Sequence, residues 1–411
     1  MTIPTPLRHT ANLPVPDADA RAASAALGTH IRSEIEAAGG SISFARYMAL
    51  ALYTPQLGYY SGGAAKFGAA GDFVTAPEIS PLFGRTLARQ VAEVMAASSA
   101  ELHALGEAPA CAEVLEFGAG SGALAAVLLA ELDALGTPCQ RYRIIEVSGS
   151  LRAQQEATLH ASVPHLAHCV EWLDALPDAI DGCVIANEVL DAMPAHWVTW
   201  RDGALLERCV TCAGTGLRVT EQAASGALRA AMTALAGEHN LGDGYTSEIN
   251  LAALAWINAL APRMRHAAAL LIDYGFPARE FYHSQRNTGT LRAHYRHHAL
   301  DDPFYLPGLC DLTTHVDFSA VALAAQEAGL DVDGYTTQAQ FLIQCGIADL
   351  LAQSDPRDVK RHGVLTQQAN ALLSPAEMGE LFKVLAVSRG LSPGPAQSWR
   401  GFALGDRRHT L

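Results

Sequence analysis

The apolar run Ala112 to Phe117 leads directly into Gly118-Ala119-Gly120-Ser121-Gly122 and then into an Ala/Leu-rich stretch ending at Leu135. A strand that turns through three glycines into a helix constrains the fold more than any other feature of this 411-residue chain. Glycine allows a tight turn at positive φ and lets a ligand approach where a Cβ would block it. The alternation then repeats. Tyr142 to Val147 reads as a second strand, 150–160 as a helix, Val170 to Leu173 as a third strand and Cys183 to Ala186 as a fourth. This spacing predicts an α/β fold built on a doubly wound, mostly parallel sheet. Right-handed crossovers then place a ligand cleft at the carboxyl ends of the strands.

The flanking segments read differently. Residues 1–20 read as a flexible arm, and 21–110 as an N-terminal helical region with a pocket loop. In that region Ala22 to Ala38 is helical and stops at Gly39-Gly40, while Ser43 caps a helix with Phe44, Tyr47, Met48 and Leu52 on its apolar face. Gly62 to Pro81 is loop, and Pro81 to Ala97 is a further helix. Residues 111–194 form the Rossmann-like core. Residues 195–265 read as an inserted α+β region, with antiparallel hairpins across 195–222 and helices near 224–236 and 248–263. Residues 266–411 complete the sheet, beginning with a buried strand at Ala268 to Asp273. They continue with a loop over 276–315, helices at Phe318 to Ala328 and 376–382, and strands at Val384 to Val387 and Gly401 to Leu404.

Composition narrows the partners. A formal net charge of −14 argues against a nucleic-acid backbone as partner. No apolar run reaches the roughly 18 residues of a membrane span. The first twenty residues lack the apolar segment of a secretory signal, so the expected location is cytoplasmic. Of eight cysteines only Cys209 and Cys212 form a C-x-x-C pair, and nothing nearby completes a zinc site. Reduced thiols and no metal are expected. The imidazole-rich stretch from Arg292 to His298 does not have the convergence of a metal site. Nothing in the pattern specifies an oligomeric state.

The glycine loop suits two ligands. Gly118, Gly120 and Ala123 satisfy G-x-G-x-x-A, so a dinucleotide pyrophosphate is one. S-adenosylmethionine (SAM) is the other. Glu116 favours SAM, because a carboxylate repels pyrophosphate and suits the ammonium of a methionine moiety. Glu146 ends the second strand, where a carboxylate can accept both hydroxyls of an adenosine ribose. Asn187, Glu188 and Asp191 follow the fourth strand, at the cleft end of the sheet. The loop Gly71 to Pro81, which holds Asp72, Thr75 and Pro77, mixes acids, hydroxyls and prolines before a helix.

Taken in order, several segments resemble one family. They are Tyr53-Thr54-Pro55, Gly71-Asp72-Phe73 through Pro77-Glu78-Ile79-Ser80, the Glu116 glycine loop, Glu146-Val147-Ser148, Ala186-Asn187-Glu188 to Pro194, Ile272-Asp273-Tyr274-Gly275 and Pro307-Gly308-Leu309 to Thr313. The resemblance is to the SAM-dependent methyltransferases related to a mitochondrial complex I assembly-factor arginine methyltransferase, with bacterial relatives of the MidA type. It implies a class I methyltransferase fold, SAM as cofactor and a methyl acceptor that includes protein arginine. It assigns cofactor roles to Gly118, Gly120, Gly122, Glu146 and Asn187, and makes the Thr75 and Pro77 loop a pocket wall. For holding a guanidinium, the first candidates are Glu188 and Asp191, with Glu248 and Asp72 next. Three other readings stay open here: a non-catalytic SAM-binding assembly factor, a small-molecule methyltransferase and an NAD-dependent dehydrogenase.

Overall fold

The computed structural model describes residues 13–62, 75–107, 112–391 and 398–411. The chain divides into two compact units, each built from three separated stretches. One holds Val74–Leu190, Leu254–Ala278 and Asp317–Leu411, and contains the large sheet. The other holds Met1–Phe73, Asp191–Ala253 and Arg279–Val316. The N-terminal helices therefore share a unit with the insertion, a grouping that sequence order does not reveal.

In the sheet unit, seven strands carry the main path: β1 (Glu113–Phe117), β2 (Tyr142–Ile145), β3 (Val170–Leu173), β4 (Ile180–Asn187), β5 (Met264–Phe276), β6 (Asp331–Thr337) and β7 (Phe382–Arg389). Their spatial order is β3-β2-β1-β4-β5-β7-β6. The first five are mutually parallel, and β7 is antiparallel to both of its neighbours. Strand order reverses at β1, between β2 and β4, so the glycine loop after β1 sits where a doubly wound sheet opens a crevice. Ala267 to Ile272 of β5 are all buried, as expected of a strand covered on both faces.

Helices α1 (Pro81–Ala104), α2 (Ala123–Ala134) and α3 (Gly149–Ser162) belong to this unit. Ser80 caps α1 by accepting from the Leu82 N–H at 3.2 Å, and Pro81 supplies a preset φ at its first position. Phe83, Leu87, Val91 and Val94 bury one α1 face in the core, each worth about 2 kcal/mol.

The other unit is built on an antiparallel sheet of His196–Arg201, Ala204–Ala213, Gly216–Ala223 and Thr246–Ile249, edged by Ile42–Ser43. The expected hairpin forms through Asp202 and Gly203, both at positive φ. Helices Ala18–Ala37 and Phe44–Tyr53 join it, with the Phe44 ring 5.3 Å from the Trp197 ring. Cys209 and Cys212 stand three apart on one strand, so their side chains leave opposite faces. All seven described cysteines are free. No described helix is long and apolar enough to cross a membrane, and no metal-binding cluster occurs among the described residues.

Several expectations are corrected. The 276–315 loop contains a three-stranded sheet of Arg292–Tyr295, His298–Leu300 and Asp311–Thr313. Its strands are too short for a periodic signal, and one partner is distant in sequence. The segment expected to open a helix at 248 begins instead with the strand Thr246–Ile249. The tail helix lies at Val359–Leu373, not 376–382, because Asp358 caps it through the Arg361 N–H. Gly401 to Leu404 is not a strand, since Arg400–Phe402 is a 3-10 turn packed against Phe341. Strand β6, with two aspartates and a glycine, has only Val332 and Tyr335 as apolar residues and no regular alternation.

Arg389, at the end of β7, caps three separate carbonyls: Ala261 O at 2.7 Å, Ala328 O at 2.6 Å and Gly329 O at 3.1 Å. Replacing it with leucine removes the side-chain donor from all three; Ala261 O keeps the Met264 N–H, while Ala328 O and Gly329 O lose the guanidinium. Arg389→Leu should lower the unfolding free energy by about 2–4 kcal/mol, read as a shift in urea midpoint at constant slope. An unchanged midpoint would exclude the capping role.

Candidate functional site

The glycine loop leaves β1 with Gly118, Gly120 and Gly122 at φ values of 60°, 54° and 84°. Gly122 has a second reason to be glycine: a Cβ there would lie 3.0 Å from the Cα of Gln155 on α3. Ser121 Oγ donates to a Glu78 carboxylate oxygen, which ties the short helix Ala76–Ile79 to the loop. Thr75 occupies the N-cap position of that helix, without a side-chain cap bond, and Pro77 lies within it, so both belong to the element that Glu78 ties to the glycine loop. Glu78 and Ser121 are a pair that sequence reading missed. Asp72 and the loop residues up to Val74 lie outside the described residues.

Two carboxylates are buried at the carboxyl ends of adjacent strands. Glu116 is 2% exposed and accepts a 2.6 Å hydrogen bond from Tyr142 Oη. Burial pushes its carboxyl up to about 7; the Tyr142 hydrogen bond opposes this and the nearby Glu146 charge adds to it. Glu146 accepts from the Ser148 N–H at 2.9 Å and from Gln155 Nε2 at 3.0 Å. Burial raises its carboxyl too, against those bonds.

At the end of β4, Asn187 Nδ2 donates to Glu188 Oε1 at 3.2 Å. Asn187 Oδ1 is buried and has no hydrogen-bond partner among the described residues. Glu188 is held at φ 53°, a left-handed conformation costly for a residue that carries a Cβ. The surroundings enforce it. The Glu188 N–H donates to Ile272 O at 2.8 Å. The Val189 and Leu190 N–H groups donate to the fully buried Asp273 carboxylate at 3.2 and 2.9 Å. Asp273, from the Ile272-Asp273-Tyr274-Gly275 motif, thus builds the turn that presents Glu188.

The other two acidic candidates belong to the second unit. Asp191 is buried, and its backbone carbonyl accepts from the Thr314 N–H at 3.0 Å. Its charge, with that of Asp311, adds to the burial that drives the Tyr60 phenol well above its ordinary range. Glu248 differs from expectation. Its carboxylate accepts from Thr290 N at 2.8 Å, Thr290 Oγ1 at 2.9 Å and Leu291 N at 3.2 Å. Gly289, at φ 78°, lies so close that a Cβ would meet the carboxylate. These contacts make Glu248 a buttress for the 288–291 turn.

The residues around the loop fit one kind of ligand. Glu78, Glu116 and Glu146 surround it with negative charge or acceptors, which disfavours a pyrophosphate. The buried Asn187 Oδ1 and the Glu146 carboxylate call for donors, which an adenosine with free hydroxyls and a cationic amine supplies. A doubly wound sheet with an antiparallel β7 and this acidic glycine loop defines a class I, SAM-binding methyltransferase. The chain belongs to the S-adenosyl-L-methionine-dependent methyltransferase family whose profile matches residues 86–336. It uses SAM as its cofactor. The dehydrogenase alternative falls with that membership.

Relatives agree. The chain is 30% identical to the protein arginine methyltransferase NDUFAF7 homolog, mitochondrial, of Drosophila melanogaster, over 92% of this chain and 88% of that protein. It is 29% identical to the NDUFAF7 protein of Danio rerio over 87% and 86% of the two chains. A crystal structure from Burkholderia thailandensis, described as a methyl transferase bound to S-adenosyl-homocysteine (SAH), superposes with a TM-score of 0.91 at 47% identity. It covers 97% of this chain and 100% of that one. The curated relatives are named mitochondrial, which overturns the cytoplasmic expectation. Reduced cysteines report a redox environment and do not distinguish one reducing compartment from another.

A cationic amine beside Glu116 favours the ionised carboxylate. With that carboxyl raised to about 7, an amine bound beside it would draw off its proton at lower pH and meet a charge already present at higher pH. SAH affinity should therefore rise about tenfold from pH 6 to pH 8, measured by calorimetry. Glu116→Gln should flatten the profile, and an unchanged slope in that variant would remove Glu116 from contact with the amine.

Proposed function

We propose that this chain methylates the guanidinium nitrogen of arginine in a protein substrate. The observation that carries this reading is the presentation of Glu188. A carboxylate held in a strained turn at the cleft end of the sheet, by Ile272 O and Asp273, is a position that packing alone does not require. The names of the curated relatives, protein arginine methyltransferases matching most of the chain, support the same acceptor.

When bound, SAM supplies an activated methyl group. The chain's own residues have three tasks. Gly118, Gly120 and Gly122 open room for the ligand, Glu146 and Asn187 accept from its donors, and Glu116 meets its amine. Glu188 forks to a guanidinium and draws its charge to one side, leaving the opposite nitrogen able to present its lone pair; that nitrogen takes the methyl group as the methyl–sulfur bond breaks, and its proton passes to solvent. The enzyme's main contribution is position and exclusion of water.

Glu188→Gln should bind SAH as wild type does yet lose most turnover, by about a hundredfold or more, in labelled-methyl transfer to a lysate lacking this protein. Hydrolysis of the product should place the label on arginine. Label on another residue, or wild-type turnover in the variant, would sink the reading. Glu188→Gly should relieve the backbone strain and raise stability by about 1 kcal/mol while losing the same turnover. A drop in melting temperature would show that the turn is not strained.

A further inference from the structure

We infer that Gln155 is a positioning residue which sets the glycine loop and the ribose-binding carboxylate as one rigid unit, with Trp172 locking its amide. This rests on Glu146 as the ribose acceptor. Gln155 lies on α3, outside every motif that marks the cofactor site, and is fully buried. Its Nε2 donates to Gly120 O at 3.1 Å, in the middle of the loop, and to Glu146 Oε2 at 3.0 Å. Its Oε1 accepts from Trp172 Nε1 at 2.8 Å, from β3.

The chemistry permits one orientation. An indole N–H only donates, while a carbonyl and a carboxylate only accept, so the amide oxygen must face Trp172 and the nitrogen must face Gly120 and Glu146. A single NH2 group therefore spans two elements that bind different parts of the cofactor. It neutralises part of the cost of burying Glu146 and fixes which carboxylate edge stays available. The Gly122 approach to the Gln155 backbone and the Thr158 Oγ1 hydrogen bond to Ser121 O, at 2.7 Å, seat the same helix against the same loop.

The charged groups facing this point are Glu116 on β1 and Arg152 on α3. Arg152 donates to Glu146 O at 2.7 Å and pairs with Asp174 at 2.8 Å. A glutamate at 155 would face Glu146 across hydrogen-bond distance. The two carboxylates would repel when both are ionised and share a proton when they are not.

The test is SAH affinity of the full chain by calorimetry at pH 6 and pH 8, with thermal melts alongside. Gln155→Leu should weaken binding about tenfold or more at both pH values. Gln155→Glu should show a deficit, relative to wild type at the same pH, that is large at pH 8 and shrinks several-fold at pH 6. A residue that merely fills space would give no such pH dependence. Trp172→Phe, which removes the donor that orients the amide and keeps an aromatic ring, should weaken binding several-fold, and it carries the test if the 155 variants fail to fold. Glu146→Ala is the reference. If it weakens binding while Gln155→Leu and Trp172→Phe stay within twofold of wild type, the strut is refuted and the ribose reading stands. If Glu146→Ala itself stays within twofold, the ribose reading falls and takes this inference with it. An equal Gln155→Glu deficit at both pH values also overturns it.

Discussion

Burying Glu116 and Glu146 at the carboxyl ends of neighbouring parallel strands is the constraint around which the sheet unit is organised. Two carboxylates removed from water repel each other and lose solvation, and the protein answers with specific donors: Tyr142 for one, Ser148 and Gln155 for the other. These donors come from β2, from the cap of α3 and from its interior. The cost of burial is accepted where a cationic, hydroxyl-bearing ligand can meet the acids. The glycine loop has the complementary property: three positive-φ positions, of which Gly118 is open while Gly122 is closed against Gln155.

The same logic extends to β4 and β5. Asp273 is wholly buried, yet its carboxylate is consumed by backbone N–H groups of the turn that follows β4. A buried acid here serves as a scaffold for another acid, Glu188. Glu248 plays a comparable scaffolding part in the second unit, closing a turn through three hydrogen bonds. Acidic residues in this chain thus divide into those whose oxygens accept mainly from backbone N–H groups, Asp273 and Glu248, and those that also accept from side chains, Glu116, Glu146 and Glu188. Residue type does not reveal which is which.

How much was legible follows from the range of each interaction. The three glycines, Glu116 and Glu146 could be read because a strand, a turn and a helix lie within one short window. Hairpins around Asp202-Gly203 could be read for the same reason. Strand β6 could not, because Asp331 to Thr337 has a polar sequence and owes its conformation to pairing with β7, some fifty residues later. Gln155 carries no local signal: Gly120 and Trp172 meet it only after α3 has packed on the sheet. Glu248 reads in the sequence as a candidate for holding a guanidinium; that its carboxylate accepts from Thr290 and Leu291, about forty residues onward, has no local signal.

The sequence alone determined the doubly wound class, the position of the ligand loop and the acidic character that selects an adenosyl cation over a pyrophosphate. Those properties depend on φ preferences, hydrophobic periodicity and charge, all of which act over a few residues. Only the tertiary structure decided which acids are scaffolds, how Glu188 is held in a left-handed turn, and that one buried amide joins the loop to Glu146. Those outcomes depend on which donor reaches which buried acceptor, and chain folding brings such partners together from segments that share no local pattern.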